Sequence, residues 1–155
     1  METIDTRKME GAARIALIRD RVIALIRAFN PEEIVAEFFN AVHTSQSSTH
    51  VVWLHGVVMT SIVSTWETKN PLYIAPSTLK KWMAGRGNKV EKAEMVKSIA
   101  KQYGTRIDEH DAAEAYGLAV LGLERARYTS GMESLRGRAF TKYEKGVLPR
   151  WARAF

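Results

Sequence analysis

The chain has 155 residues, of which 46% are hydrophobic and 26% are charged, as is typical of one globular domain with a sizeable core. It contains no cysteine, which excludes disulfide bonds and thiolate metal sites. No apolar run is long enough to cross a bilayer and the first residues lack the pattern of a signal peptide, so we expect a cytoplasmic protein without a membrane partner.

The formal net charge of +6 is unevenly placed. Residues 125–155 contain eight lysines and arginines against two glutamates, whereas residues 1–124 are balanced. A basic tail beside a neutral domain indicates an anionic partner, most commonly nucleic acid, although a solubilising or packing tail would have the same composition. We therefore predict a core over residues 1–127 and a basic C-terminal tail over residues 128–155.

The first half of the chain alternates between helix and strand. Apolar residues at helical spacing predict a helix from about Gly11 to Phe29, which ends before Asn30-Pro31. The apolar segment Glu33–Phe39 predicts a short buried strand. A long helix is then expected from about Ser48 to Glu67.

The second half continues the alternation and ends in helices. Leu72–Ala75 predicts a second strand, and Pro76 opens the next helix. A helix over Glu91–Tyr103 ends at Gly104, and the last helix lies within Asp108–Leu123. This order predicts an α/β fold with a short parallel sheet flanked by helices.

The last helix opens on an acidic segment. Asp111 and Glu114 are three residues apart, so their side chains would project side by side from its first turn. Two carboxylates that close repel each other unless a cation lies between them, and Mg²⁺ or Mn²⁺ favours oxygen ligands of this kind. Acidic residues also suit the positive end of a helix without any metal, so this structural explanation stays open.

Glu37 is unexpected near the end of the first apolar strand. A charged side chain there is costly to bury unless it is paired or bound to a metal ion. Ligand sites in open α/β sheets lie at the carboxyl ends of the strands, where Glu37 would be. The alternative is that Glu37 simply emerges into solvent at the edge of the strand.

A basic turn with two glycines, Gly85-Arg-Gly87, follows the third helix. Such a turn lets backbone N–H groups and lysines approach a phosphate chain, although the same lysines would also suit a solvated face. The segment does not match the phosphate-binding loop pattern, so no nucleotide cofactor is predicted. The basic residues in and around the turn are Lys80, Lys81, Arg86, Lys89 and Lys92.

From Arg14 to Arg125, the order and spacing of these motifs resemble the RuvC family of Holliday-junction resolvases, within the RNase H-like nuclease superfamily. Each motif is weak alone, and their order is what makes the resemblance specific. The matching segments are the first helix with Asn30-Pro31, then Ile34-Val-Ala-Glu37, His55-Gly-Val-Val58, Ala75-Pro-Ser-Thr-Leu-Lys-Lys81, Gly85-Arg-Gly87, Lys92 and Asp111-Ala-Ala-Glu-Ala115.

The resemblance implies an RNase H-like core of the RuvC type and a crossover junction endodeoxyribonuclease of DNA recombination and repair, phage- or bacterium-encoded. Glu37, Asp111 and Glu114 would be the catalytic acids that bind Mg²⁺ or Mn²⁺. The basic residues Lys80, Lys81, Arg86, Lys89 and Lys92 would contact the DNA backbone. A homodimer is implied, because a four-way junction has two-fold symmetry.

The sequence departs from the family in two places. The first is Glu114, which stands where the family has an aspartate. In an alternative register, Asp108 pairs with Asp111 at the same spacing of three residues. His110 and His43 are candidates to assist the nuclease reaction, and the alternative for each is an exposed histidine without a role.

The larger departure is at the N-terminus. The family opens with three strands, the first of which carries an essential aspartate, and by resemblance this chain would begin at the end of the third, with Glu2-Thr-Ile-Asp5. Asp5 is a candidate substitute. We therefore expect a core reduced at its N-terminus. Three explanations stay open, namely a truncated product, a natural relative without activity, and a chain that a partner completes. The alternative function is therefore a catalytically inactive RuvC-like nucleic-acid-binding or assembly protein, beside the more general alternative of a helical scaffold.

Overall fold

The computed structural model describes residues 4–6, 8–38, 46–66, 71–85 and 90–131. These contain five helices and two strands in the predicted order, namely α1 (Gly11–Phe29), β1 (Val35–Glu37), α2 (Gln46–Thr65), β2 (Leu72–Ile74), α3 (Pro76–Ala84), α4 (Lys92–Tyr103) and α5 (His110–Thr129). The α/β class is thus confirmed. Because residues 132–155 lie outside the described residues, the division into a core and a basic tail stays a prediction.

The chain forms two compact units. The first comprises Met1–Ile34 and Phe39–Pro71, and the second comprises Val35–Phe38 and Leu72–Phe155. None of the described helices is both long enough and apolar enough to span a membrane.

The first unit is built on the packing of α1 against α2. Ile18 of α1 and Ile62 of α2 are buried. Asn30 ends α1 in the left-handed conformation, and its N–H donates to the Ile26 carbonyl. Asparagine tolerates this conformation better than most residues, which explains why the helix stops there. The segment after α1 is held to the end of α2, because Trp66 Nε1 donates to the Pro31 carbonyl at 3.0 Å.

The second unit contains a parallel pair of short strands. Val35, Ala36 and Glu37 of β1 lie opposite Leu72, Tyr73 and Ile74 of β2. The Phe38 N–H continues the ladder with a hydrogen bond to the Ile74 carbonyl at 2.8 Å. The register therefore sets Glu37 at the carboxyl end of its strand, where the sequence analysis expected it.

Helices α3, α4 and α5 pack together, and α5 also contacts β1. Apolar side chains at helical spacing, such as Met95 and Ile99 of α4, converge on a common core. Its buried members are Leu72, Ile74, Leu79, Trp82, Met83, Val90, Met95, Ile99, Ile107, Ala112, Ala113, Leu118, Val120 and Leu121. This core fixes the start of α5 near the end of β1.

Gly117 of α5 lies against Leu79 and Met83 of α3. A Cβ atom at that position would lie 3.3 Å from Leu79 Cδ1 and 3.7 Å from Met83 Cγ. Gly117→Val should therefore lower the free energy of unfolding by about 1–3 kcal/mol, because the added methyl groups overpack the contact. Denaturant unfolding of the variant tests this prediction. The matched control is Ala119→Val on the exposed side of the same helix, which should cost about 0.5 kcal/mol or less.

Candidate active site

Glu37 lies at the end of a strand whose first two residues, Val35 and Ala36, are half-buried. The Glu37 residue as a whole is exposed. The packing around its carboxyl group is nevertheless dense enough that lost solvation is the largest effect raising its pKa. Glu37 thus emerges at the surface without being fully hydrated.

The first turn of α5 carries the other two predicted acids. Ala112 and Ala113 are buried, so the helix approaches its neighbours through small side chains. On either side of them, Asp111 is exposed and Glu114 is half-buried. Asp111 and Glu114 therefore project from adjacent positions of one helical turn, as their spacing predicted.

The alternative pair of Asp108 and Asp111 does not share a helical face. Asp108 precedes the helix, which begins at His110. Its carboxylate accepts a hydrogen bond from Arg106 Nε at 3.1 Å, and both side chains are largely exposed. This alternative register is therefore not supported by the local backbone.

Two of the predicted acids act electrostatically on the third, Glu37. Beyond the effect of burial, the pKa of Glu37 is raised most by the negative charge of Glu114 and also by that of Asp111. The ammonium group of Lys80 acts in the opposite direction and lowers it. Charges from the first turn of α5 and from α3 therefore both act on the acid at the end of β1.

The predicted basic residues are partly within this site. Lys92 Nζ lies 3.9 Å from Asp111 Oδ1, and Lys81 is exposed on α3. Arg86 and Lys89 lie outside the described residues, so their roles stay predictions. The sequence predicted only a DNA contact for Lys80 and did not indicate that its charge lowers the pKa of Glu37. The available signal was that α3 begins only two residues after β2, which puts its first turns beside the strand ends.

The remaining candidates are Asp5, His110 and His43. Asp5 is exposed and belongs to the first unit, whereas Glu37 belongs to the second. His110 is half-buried at the start of α5, and its Nδ1 has no hydrogen-bond partner among the described residues. His43 lies outside them.

The donor set of the site suits a hard divalent cation. Mg²⁺ and Mn²⁺ prefer carboxylate oxygens, and the mutual repulsion that raises the pKa of Glu37 is what such an ion would relieve. Among the described residues, however, no three histidine, cysteine, aspartate or glutamate side chains are grouped closely enough to hold a metal ion as they stand. The carboxylate oxygens are thus suitable ligands for such an ion. Metal binding stays a prediction, because it requires the three carboxylates to lie closer together than they do here.

Glu37→Gln should stabilise the fold at neutral pH. The raised pKa means that folded Glu37 holds its proton more tightly than unfolded Glu37, so its stabilising contribution is complete below the ordinary carboxyl pKa and is lost as the pH rises through the folded pKa. Glutamine avoids this loss. We expect the melting temperature at pH 7 to rise by about 1–2 °C, a small value because the residue is exposed. Thermal melts from pH 3.5 to pH 8 test this, and an increase of equal size at pH 3.5 would contradict it.

The fold was compared with known proteins. No protein-family model and no curated protein sequence matches the chain. The structure is similar to that of RuvC from Thermus thermophilus, with a TM-score of 0.59 and 19% identity over 84% of this chain and 76% of that one. It is also similar to T. thermophilus RuvC in complex with a Holliday junction substrate, with a TM-score of 0.61 and 21% identity over 81% and 73%. The resemblance predicted from the motifs is thereby confirmed at the level of the fold, and the chain has a RuvC-like fold.

Proposed function

We propose that this chain is a divalent-metal-dependent, structure-selective DNA endonuclease that hydrolyses phosphodiesters at four-way or branched junctions. The observation that supports the proposal is that the charges of Glu114 and Asp111 of α5 both act on Glu37 of β1 and raise its pKa, after the larger effect of burial. The RuvC-like fold supports it, since one similar structure is of RuvC bound to a Holliday junction substrate.

In this proposal Glu37, Asp111 and Glu114 hold Mg²⁺ or Mn²⁺. When bound, the ions supply an activated water and stabilise charge at the leaving oxygen of the phosphodiester. The carboxylates act as ligands more than as proton carriers. The partial desolvation of Glu37 favours this role, because the attraction between a carboxylate and a cation strengthens as the surrounding dielectric constant falls.

The lysines beside the acids would position the DNA. Lys92 lies 3.9 Å from Asp111, the charge of Lys80 acts on Glu37, and Lys81 is exposed on the same helix as Lys80. Lysines fix a nucleic acid through its phosphates and carry little sequence information. This agrees with an enzyme that selects the shape of its substrate. Binding should therefore weaken steeply as the salt concentration rises.

We further propose that the active species is a homodimer formed through α2. This helix of 20 residues contains no aspartate, glutamate, lysine or arginine. Its exposed side within the described residues consists of Trp53, Gly56, Thr60, Val63 and Ser64, which recur at helical spacing. Trp53 is 57% exposed and Val63 is 54% exposed. An uncharged surface in which small residues lie between a tryptophan and a valine suits close packing of two helices better than contact with water.

The second candidate is a RuvC-like protein that binds nucleic acid or supports an assembly without cutting. The observation that favours it is that the three carboxylates do not form a metal-binding group as they stand. The lysines would then serve binding alone.

Cleavage of a synthetic four-way junction separates the two candidates. The full chain is incubated with the labelled junction, or with a linear duplex of the same arms, in Mg²⁺ or Mn²⁺. We expect metal-dependent cutting of the junction and little cutting of the duplex. Salt-sensitive binding of the junction without cutting in either metal would favour the second candidate. A chain that neither binds nor cuts the junction would contradict both.

A further inference from the structure

The charged residues in the helices of the first unit lie on α1. This helix contains four arginines and one aspartate, a formal net charge of +3, whereas α2 contains no aspartate, glutamate, lysine or arginine. All five charged residues of α1 are exposed, namely Arg14, Arg19, Asp20, Arg21 and Arg27. The helices of this unit therefore present a positive charge to solvent, and α1 carries it.

Part of this charge is neutralised within the helix. Arg19 Nε donates a hydrogen bond to Asp20 Oδ1 at 2.8 Å. Arg14 and Arg27, in contrast, have no ion-pair partner among the described residues. A helix surface that meets only water usually carries charges of both signs, which pair along the helix. Arg14 and Arg27 thus offer two unpaired guanidinium groups to a partner.

The residues beside these arginines are small. Ala13 and Ala24 are exposed on the same side of α1 as Arg14, Arg21 and Arg27, and we call these five residues the arginine side of α1. Arg14 and Arg21 are two helical turns apart, which is about 10 Å along the axis. Because an alanine side chain ends at Cβ, a polyanion could lie close to the helix with arginines on both sides of it.

We propose that the arginine side of α1 binds the phosphate backbone of duplex DNA. The inference rests on the proposed function, in which DNA is the substrate and the lysines of α3 and α4 contact it. The arginines of α1 form a second contact surface, in the first unit. Each strand of DNA carries one negative charge per about 3.4 Å of helix axis, so several phosphates fit within the distance from Arg14 to Arg21. The planar guanidinium group binds a phosphate through two parallel hydrogen bonds.

Phosphate contacts have a measurable signature in the dependence of binding on salt. For B-DNA, the logarithm of the association constant falls against the logarithm of the salt concentration with a slope of about −0.9 per phosphate contact. Arg14→Gln and Arg27→Gln should therefore each make this slope shallower by about one and weaken binding by roughly threefold at low salt. The loss should be equal for a four-way junction and a linear duplex, because phosphate contacts carry no sequence information and both DNAs present the same backbone.

The test is the fluorescence anisotropy of labelled junction and duplex, titrated with the full chain at several salt concentrations without divalent metal. The matched control is Arg19→Gln, which makes the same change of net charge at an arginine that Asp20 already neutralises, and it should keep the slope. Arg14→Lys keeps the charge and should keep the slope as well. An equal loss for all three glutamine variants would show an effect of net charge and overturn the proposal, as would unchanged slopes for Arg14→Gln and Arg27→Gln.

Vesicles of phosphatidylserine and phosphatidylcholine test a different polyanion. If Arg14→Gln abolishes binding to these vesicles and leaves the DNA slope unchanged, the arginine side contacts a membrane surface and the proposal is wrong. A failure of the proposed function gives another result. If the unaltered chain binds the junction but does not cut it in Mg²⁺ or Mn²⁺, the proposed endonuclease is wrong, and the slopes still decide whether α1 contacts DNA. If the chain binds no DNA, both proposals are wrong.

Discussion

Glu114→Gln should reduce metal-dependent cleavage of a four-way junction by roughly two to four orders of magnitude. A catalytic metal ion contributes several kcal/mol to the stabilisation of the transition state, and about 1.4 kcal/mol corresponds to a tenfold change in rate. Glutamine keeps the size of the side chain and removes the charge that a divalent ion requires. Glu114 is the informative choice because its charge acts on Glu37 more strongly than that of Asp111. Single-turnover cleavage of the labelled junction measures the loss.

Two controls keep this prediction specific to the site. Glu10→Gln makes the same chemical change at an exposed residue whose side chain accepts no capping hydrogen bond from α1, and this variant should cleave at the unaltered rate. The melting temperature of Glu114→Gln should be equal to or above that of the unaltered chain, because a repelling charge beside Glu37 is removed. A folded Glu114→Gln protein that cleaves at full rate would exclude Glu114 as a metal ligand.

The helices were predictable because their signals are local. Asn30 before Pro31 marks the end of α1, and Gly85 and Gly104 mark the ends of α3 and α4. In the structure Asn30, Gly85 and Gly104 all adopt the left-handed conformation with positive φ. Such ends depend on one or two residues and their own backbone, which a single sequence contains.

The strands were less predictable because a strand needs a partner. The apolar segment from Glu33 to Phe39 predicted seven residues, whereas β1 covers only Val35–Glu37. Its length is set by β2, which is three residues long and lies far away in the sequence. The division into two units depends on distant packing in the same way. Local patterns do not contain that information.

The shared helical turn of two of the proposed site acids was predictable from the sequence, and their counter-charges were not. The spacing of three residues between Asp111 and Glu114 predicts directly that they share one helical turn. That Lys92 faces Asp111 depends instead on the packing of α4 against α5. The burial of Glu124 to 2% exposure was also beyond the sequence pattern, because the apolar run of α5 ends at Leu123. Tertiary contacts decide which charges a site contains.

Thr60→Lys should convert the proposed dimer into monomers. Thr60 lies at the centre of the exposed uncharged side of α2, between Gly56 and Val63. A lysine there would bury an unpaired charge in the interface, which costs several kcal/mol. The dissociation constant of the dimer should therefore rise by about 100-fold or more, since each 1.4 kcal/mol is a factor of ten. Analytical ultracentrifugation over a range of protein concentrations measures this change.

The matched control is Ala28→Lys, which adds the same charge at an exposed position of α1 and should leave the dimer intact. An unaltered chain that is monomeric at all concentrations would contradict the proposed dimer, and a dimeric Thr60→Lys protein would place the interface away from α2.

The dimer also has a consequence for cleavage. Because two symmetric cuts in one four-way junction require two sites held together, the monomeric Thr60→Lys protein should cut one strand per binding event. A supercoiled plasmid with an extruded cruciform reports this difference, since paired cuts make it linear and single cuts only relax it.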